Sequence, residues 1–345
     1  MNSTYLPKFD IMDYHFFTLP FYNTAYSLSD GTITNEFNVA LNPTDKEGLI
    51  VKVSNSKFRI LLGAEYEPYL YRGENSKFDY FQPSLQRYDF LSPEYCLAWI
   101  KKEQFKEGFK QTAYYNELLK LKVLDYSFDF DLEAIAQHYD FKTNYIDVTR
   151  NRDVAEFFAY TYWDKNHKCY KPITANYSPR IYRAKMADVI QYNSKIFQIV
   201  GFQACLRPLK QQAMALDLSN GNTSIRDDLF ETIILENSEE KAKTVFDKFD
   251  GGKLLFPTET IIDLKNKIED PKTFLSEYCV QKYAETFKVP YHKVATKLRK
   301  NFEIKIKDKY LHPSPDLSKY MLQEFNREIK PWIETKTGFR LATRI

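Results

Sequence analysis

Glycine is scarce in this chain, 10 residues of 345, and neither GxGxxG nor GxxxxGK[ST] occurs. Without a glycine-rich loop to cradle phosphates, the dehydrogenase and P-loop readings fall away. HExxH and GxSxG are absent too, which removes the zinc-protease reading. The four cysteines, Cys96, Cys169, Cys205 and Cys279, are far apart and form no CxxC pair. Buried reduced thiols are expected, with no disulfide frame and no metal site. Nowhere do about eighteen apolar residues run together, so no membrane helix and no membrane partner are expected. The opening stretch lacks a basic region followed by an apolar run and does not read as a secretory signal, so the expected location is cytoplasmic. A net charge of +3 is too small to imply nucleic-acid binding unless the charge is concentrated on one surface.

Aromatic residues are what the chain has in plenty: 26 Tyr and 27 Phe. Aromatic packing should therefore dominate the core. Residues 30–63 alternate short β-branched and aromatic runs with Asn, Asp, Ser and Gly, the pattern of strands and turns. Residues 93–124 carry Trp99, Phe105 and Phe109 at helical spacing among Lys and Glu, which predicts one or two amphipathic helices. "PRIYRAKM", "KIFQIVGFQACLRPLKQQAMALDL" and "DDLFETIILE" read as strands and turns, and "GGKLLFPTETIIDLKNKI" as a turn, an apolar stop and a short helix. From about residue 270 the pattern is mainly helical, punctuated by Pro290 and Pro313.

The most legible unit is "QHYDFKTNYIDVTRNRDVAEFFAYTYWD", residues 137–164. Asn144 to Thr149 alternate, with Ile146 and Val148 on one face and Tyr145, Asp147 and Thr149 on the other. Asn151 suits an N-cap and Asp153 the first turn, while Val154, Phe157, Phe158 and Tyr162 line one helix face. A strand with a polar front hands over to a buried helix.

Four pieces in order, "YLYRG", "QHYDFKTNYIDVT…VAEFFA", "RPLKQQAMA" and "LLFP", resemble the FRG domain, a family named for its Phe/Tyr-Arg-Gly motif. The family pattern Gln-His-Tyr-Gly-x-Pro-Thr-Arg-Leu-Leu-Asp-Trp-Thr is departed from at Asp140, Lys142, Asn144 and Val148. In Arg-x-x-x-Gln-Gln-Gly, Arg207, Gln211 and Gln212 match and Ala213 replaces glycine. The chain is thus identified as a divergent member. The resemblance divides it into an N-terminal β-rich segment (1–65), an FRG domain (66–269) and a helical C-terminal extension (270–345). The motif order is also similar to the ADP-ribosyltransferase fold, which implies an α+β class: twisted mixed or antiparallel sheets with flanking helices forming a cleft.

That second resemblance implies NAD as the cofactor or substrate, no metal, and a nucleotide ligand with a macromolecular acceptor, protein or nucleic acid. The implied activity is ADP-ribosyl transfer or NAD glycohydrolysis by an intracellular toxin or defence effector. The implied site holds Arg72, His138, Thr149 and Gln211 in catalytic positions, with Gly73, Tyr139, Asp147, Arg207 and Gln212 as further ligand contacts. Arg72 would fork onto phosphate and Gly73 would admit a ligand against the backbone. An ordinary ion pair to a buried carboxylate such as Asp147 would use Arg72 equally well. His138 would stack on or bond the base or an acceptor, or serve as a structural residue beside Tyr139. Asp147 and Thr149 lie where a helix N-terminus attracts anions, or where a cap needs the same residue types. Gln211 and Gln212 orient rather than ionise.

One position breaks the pattern. Ala213 stands where the transferase group carries a catalytic Glu that stabilises charge in the transition state. Glu231 and Glu156 are candidate replacements, each otherwise a solvated charge. A non-catalytic nucleotide- or protein-recognition module is the alternative. A further alternative rests on residues 281–310, with nine Lys or Arg against three Asp or Glu and interleaved Tyr and Phe, which suit a nucleic-acid strand or a solvated helical face.

Overall fold

The computed structural model describes residues 15–18, 25–27, 33–34, 47–54, 57–62, 69–120, 122–123, 126–193, 195–200, 205–221, 224–311, 313, 315–324, 326–327 and 338–343. The class is α+β. Residues 201–204, within one of the segments read as strands and turns, lie outside the described residues.

A six-stranded antiparallel sheet carries the site. Its order in space is Phe197–Gln198, Ala213–Asp217, Tyr145–Thr149, Tyr69–Glu74, Arg180–Lys185 and Glu231–Ile234. The alternation of the Tyr145–Thr149 strand sets which way each residue faces. Ile146 and Val148 enter a core with Leu70, Phe81, Tyr182, Phe197, Met214 and Leu216. Asp147 and Thr149 take the other face, opposite Ala215 and Ala213 on the neighbouring strand. In the middle the sheet is barely continuous: the Tyr69–Glu74 and Tyr145–Thr149 strands share one residue pair, Tyr71 with Thr149. The sheet is therefore two three-stranded halves, opening at that junction.

The helix Arg152–Tyr160 closes the opening from one side. Asn151 caps it, its side chain accepting from the Asp153 amide at 2.9 Å. Ala155 and Ala159 turn toward the sheet with Tyr71 and Ile181. The approach is so close that a Cβ on Gly73 would stand 1.7 Å from the Ala155 carbonyl oxygen and 2.8 Å from the Ala159 amide nitrogen. Gly73 is thus required by the helix backbone.

A second, eight-stranded sheet joins both ends of the described chain. Gly338–Thr343 lies parallel between His15–Thr18 and Glu47–Ser54, a strand within the stretch whose pattern reads as helical. Another short parallel pair, Phe274–Ser276 with Lys305–Lys307, brackets the helices Glu277–Thr286 and Tyr291–Phe302. These helices share a core with Pro93–Lys110 through Trp99, Tyr283, Val294 and Leu298. Trp99 and Tyr283 meet edge to face at 5.4 Å. Among the described residues the largest fully buried side chains are all Tyr or Phe.

Charge also ties these helices together. Glu103, 3% exposed, accepts from Lys106 at 2.9 Å and Lys282 at 2.7 Å, and Glu133 accepts from Lys102 at 2.6 Å and Lys106 at 3.1 Å. Burial alone would raise the Glu103 carboxyl, but Lys106, Lys102 and Lys282 outweigh it and bring it down to about 2. A depressed folded-state value stabilises fully above the ordinary carboxyl range and is lost as pH falls through the depressed one.

Two outcomes follow from this packing. Gly73→Ala should lower stability by about 3 kcal/mol or more, the upper end of overpacking costs, because a backbone carbonyl must yield; thermal melting reads this out. Glu103→Gln should cost about 1.5–3 kcal/mol at pH 7, since Lys106 and Lys282 each lose one of two carboxylate partners. Its difference from wild type in denaturant titrations should shrink from pH 4.5 toward pH 2.

Candidate functional site

At the opening of the sheet lies a cavity of about 180 Å³ lined by Tyr71, Arg72, Gly73, His138, Asp147, Val148, Thr149, Val154, Ala155, Phe158, Gln211 and Ala213. Four separated segments meet there: the Tyr69–Glu74 strand, the end of helix Leu132–His138, the Tyr145–Thr149 strand with the helix after it, and the Gln211–Ala213 turn.

Arg72 is already engaged by the protein. Its Nε donates to Glu74 Oε1 at 2.8 Å and its Nη1 to the Asp147 carbonyl at 2.9 Å, with the guanidinium 5.4 Å from the Phe81 ring centre. Its ion-pair partner is thus Glu74, and from Asp147 it takes only the backbone. The spacing contains the signal, since residues two apart on a strand share a face. Nη2 has no protein partner among the described residues. A two-pronged grip on phosphate through Nε is therefore pre-empted. Glu74 is 6% exposed at its side chain, and its Oε2 has no hydrogen-bond partner among the described residues.

His138 ends its helix with a side chain 3% exposed. Its Nε2 lies 4.0 Å from Asp147 Oδ1, and its ring is hydrogen-bonded to the Gln211 side chain. Burial pulls its pKa down; the Asp147 charge and the Gln211 bond oppose that without reversing it. The imidazole is therefore neutral at pH 7. Asp147, whose side chain is 48% exposed, accepts from Gln137 Nε2, and Gln137 in turn accepts from the Thr143 hydroxyl. Gln211 donates through Nε2 to the Leu255 carbonyl at 3.1 Å, which fixes the amide in place. Thr149 Oγ1 donates to the Gln211 carbonyl at 2.7 Å and accepts from the Asn151 amide at 3.0 Å. With its proton committed, the hydroxyl meets a ligand only as an acceptor.

Three residues expected at the ligand lie outside the cavity lining. Tyr139 is fully buried, its hydroxyl donating to Glu259 Oε1 at 2.6 Å. Arg207 lies over the Tyr139 ring at 4.9 Å and the Phe256 ring at 5.7 Å, and donates to the His138 carbonyl at 3.1 Å. It braces the turn that carries His138. Gln212 takes a left-handed conformation, φ 45°, and its carbonyl accepts from the Arg150 amide. Asp140, where the family pattern has glycine, has φ 71°, a conformation Asp tolerates better than most residues. Its carboxylate pairs with Lys265. Gly73 lines the cavity by backbone, and its missing Cβ serves the helix.

The replacement carboxylates also lie elsewhere. Glu231 is exposed on the edge strand and paired with Arg183, and Glu156 accepts from Arg152 on the helix surface at 3.1 Å. Ala213 does line the cavity and is opposite Thr149. Asp147 is the carboxylate among the lining residues. Glu259 escapes any local reading. It accepts from the Leu206 amide at 2.6 Å and the Arg207 amide at 3.2 Å, capping a five-residue helix, Leu206–Lys210, from over fifty residues downstream. Burial pushes its carboxyl up against these hydrogen bonds.

In the basic stretch 281–310, Tyr283 is buried and Phe287, Tyr291 and Phe302 are partly buried in the helical core. Lys282 is bound to Glu103 and Glu107. Tyr310, in the same stretch, is 40% exposed.

Residues 67–168 match the family model of the FRG domain, so an FRG domain is present over that span. It contains Arg72, Gly73, His138, Asp147 and Thr149 and stops short of Gln211 and Ala213. No curated protein and no solved structure matches the chain. No helix among the described residues is long and apolar enough to cross a membrane.

The His138 environment gives a direct expectation. Its ring nitrogens should still report a mainly neutral imidazole at pH 6.5, the ordinary midpoint, and Asp147→Asn should push protonation lower by removing a charge that favours the cation. Because the unfolded chain binds that proton more readily, this residue's contribution to stability should fall as pH drops below 6.5. Imidazole nitrogen spectra across a pH series test the first two statements.

Proposed function

We propose that the FRG domain builds an ADP-ribosyltransferase-like cleft that binds NAD, and that it transfers ADP-ribose to a macromolecular acceptor or hydrolyses the nicotinamide bond. The reading makes the protein an intracellular toxin or defence effector. One observation carries it: Arg72, Gly73, His138, Asp147, Thr149 and Gln211, from separated segments, line a single cavity.

The dimensions bear on how NAD would sit. Sites for whole drug-sized ligands run to about 300–1,000 Å³, and this cavity has about 180 Å³. It suits one ring system with part of its ribose, so the rest of the dinucleotide would lie outside. The polar groups fit that end. Thr149 accepts from a ribose hydroxyl, Gln211 and neutral His138 offer amide and imidazole edges, and the Arg72 Nη2 supplies a single-ended donor. Phe158 and Val154 supply apolar wall.

A second reading, a recognition module that binds without bond cleavage, draws on Ala213, a methyl group where the chemistry wants a carboxylate. Calorimetric titration with NAD, followed by assay of nicotinamide release, separates the two. The informative variant is Arg72→Met with Glu74→Leu, because deleting both members of the pair leaves no stranded buried charge. Saturable NAD binding by wild type, weakened about tenfold or more in the double variant at similar melting temperature, is expected. A wild type that does not bind NAD rejects both readings.

A further inference from the structure

We propose that Asp147 is the catalytic carboxylate of this cleft, supplying from the neighbouring strand the charge that position 213 lacks; the proposal rests on the NAD reading above. The sheet register makes the exchange geometrically simple. Asp147 is paired with Ala215 and Thr149 with Ala213, so all four share one face. Positions 147 and 213 are diagonal neighbours, a separation of about 7–8 Å between backbones and less between side chains. A carboxylate on either strand therefore serves the same space.

The charge balance of the cavity leads to the same residue. Arg72 is matched by Glu74, and His138 is buried and neutral. Asp147 is the one carboxylate side chain of the lining. Half-exposed, with Gln137 fixing one oxygen, it leaves the cavity with a net negative charge. Such a site disfavours phosphate and favours a cation, which selects the pyridinium end of NAD, an N-glycoside whose leaving group carries positive charge.

The chemistry follows that charge. As the bond from the ribose C1′ to the ring nitrogen breaks, its electron pair goes to the ring and leaves neutral nicotinamide. Positive charge moves onto the ribose, beside the carboxylate, where a fixed anion stabilises the transition state more than the ground state. A water oxygen bonds to C1′ and gives up one proton to the neutral imidazole of His138, 4.0 Å from the Asp147 oxygen. The products are nicotinamide, ADP-ribose and a proton released to solvent. An acceptor nucleophile in place of water would give transfer with the same balance.

The test is nicotinamide release by the full-length chain, with NAD affinity measured alongside. Asp147→Asn should lower release by about a hundredfold or more and weaken NAD binding by much less, about tenfold, since the carboxylate attracts the pyridinium in the ground state and the ribose more strongly in the transition state. Glu156→Gln and Glu231→Gln should match wild type. Asp147→Glu, which keeps the charge, should retain about a tenth or more of the activity, and it carries the test if the Asn variant does not fold. Release by Asp147→Asn within about threefold of wild type overturns the assignment, as does equal loss in the Glu variant. Wild type that binds NAD without releasing nicotinamide also overturns it and leaves the binding reading standing. Wild type that fails to bind NAD overturns that earlier reading and this one with it.

Discussion

The contact between helix Arg152–Tyr160 and the strand Tyr69–Glu74 decides the rest of the site. The helix comes so near the strand that Gly73 has room for no Cβ, and only alanines, Ala155 and Ala159, face the sheet there. That approach holds Val154, Ala155 and Phe158 against the cavity. Move the helix outward by the width of a methyl group and the wall is lost. The Arg-Gly pair thus joins two functions: the arginine is set by its bonds to Glu74 and the Asp147 carbonyl, and the glycine sets how closely the next layer packs.

A second set of contacts fixes the opposite wall. Glu259 holds Tyr139 and the amides of Leu206 and Arg207; Arg207 lies on Tyr139 and grips the His138 carbonyl. His138 is consequently positioned by its neighbours on both sides and by Gln211 above. Residues expected to touch ligand, Tyr139 and Arg207, instead support one that lines the cavity. In a buried polar network each partner limits where the next can go.

What the amino-acid pattern could reveal was local. The alternation of Asn144 to Thr149 and the Asn151 cap are readable because strand pleat and helix capping depend on residues within a turn of one another. The junction of motif pieces into one cavity was also anticipated, through resemblance rather than periodicity. Contacts distant in sequence were not legible. Gly73 announces a close approach without saying what approaches. Glu259 caps a helix whose single turn is too short to show periodicity. The parallel strand Gly338–Thr343 draws its partners from the far end of the chain, and no local rule supplies that pairing. The Arg72–Glu74 pair was the exception, open to reading at a spacing of two because alternate strand residues share a face.

The single pair between Tyr71 and Thr149 has a mechanical consequence. A β-sheet resists bending because many ladder bonds share the load across each strand boundary, whereas this boundary has scarcely any to share. Stiffness there comes from side chains: Arg72 reaching to the Asp147 carbonyl and the helix bearing down on Gly73. The line between the two half-sheets is therefore the most compliant direction in the sheet, and the cavity straddles it. Widening at that seam breaks the Tyr71–Thr149 pairing and one arginine bond and slides one helix, leaving both three-stranded halves intact.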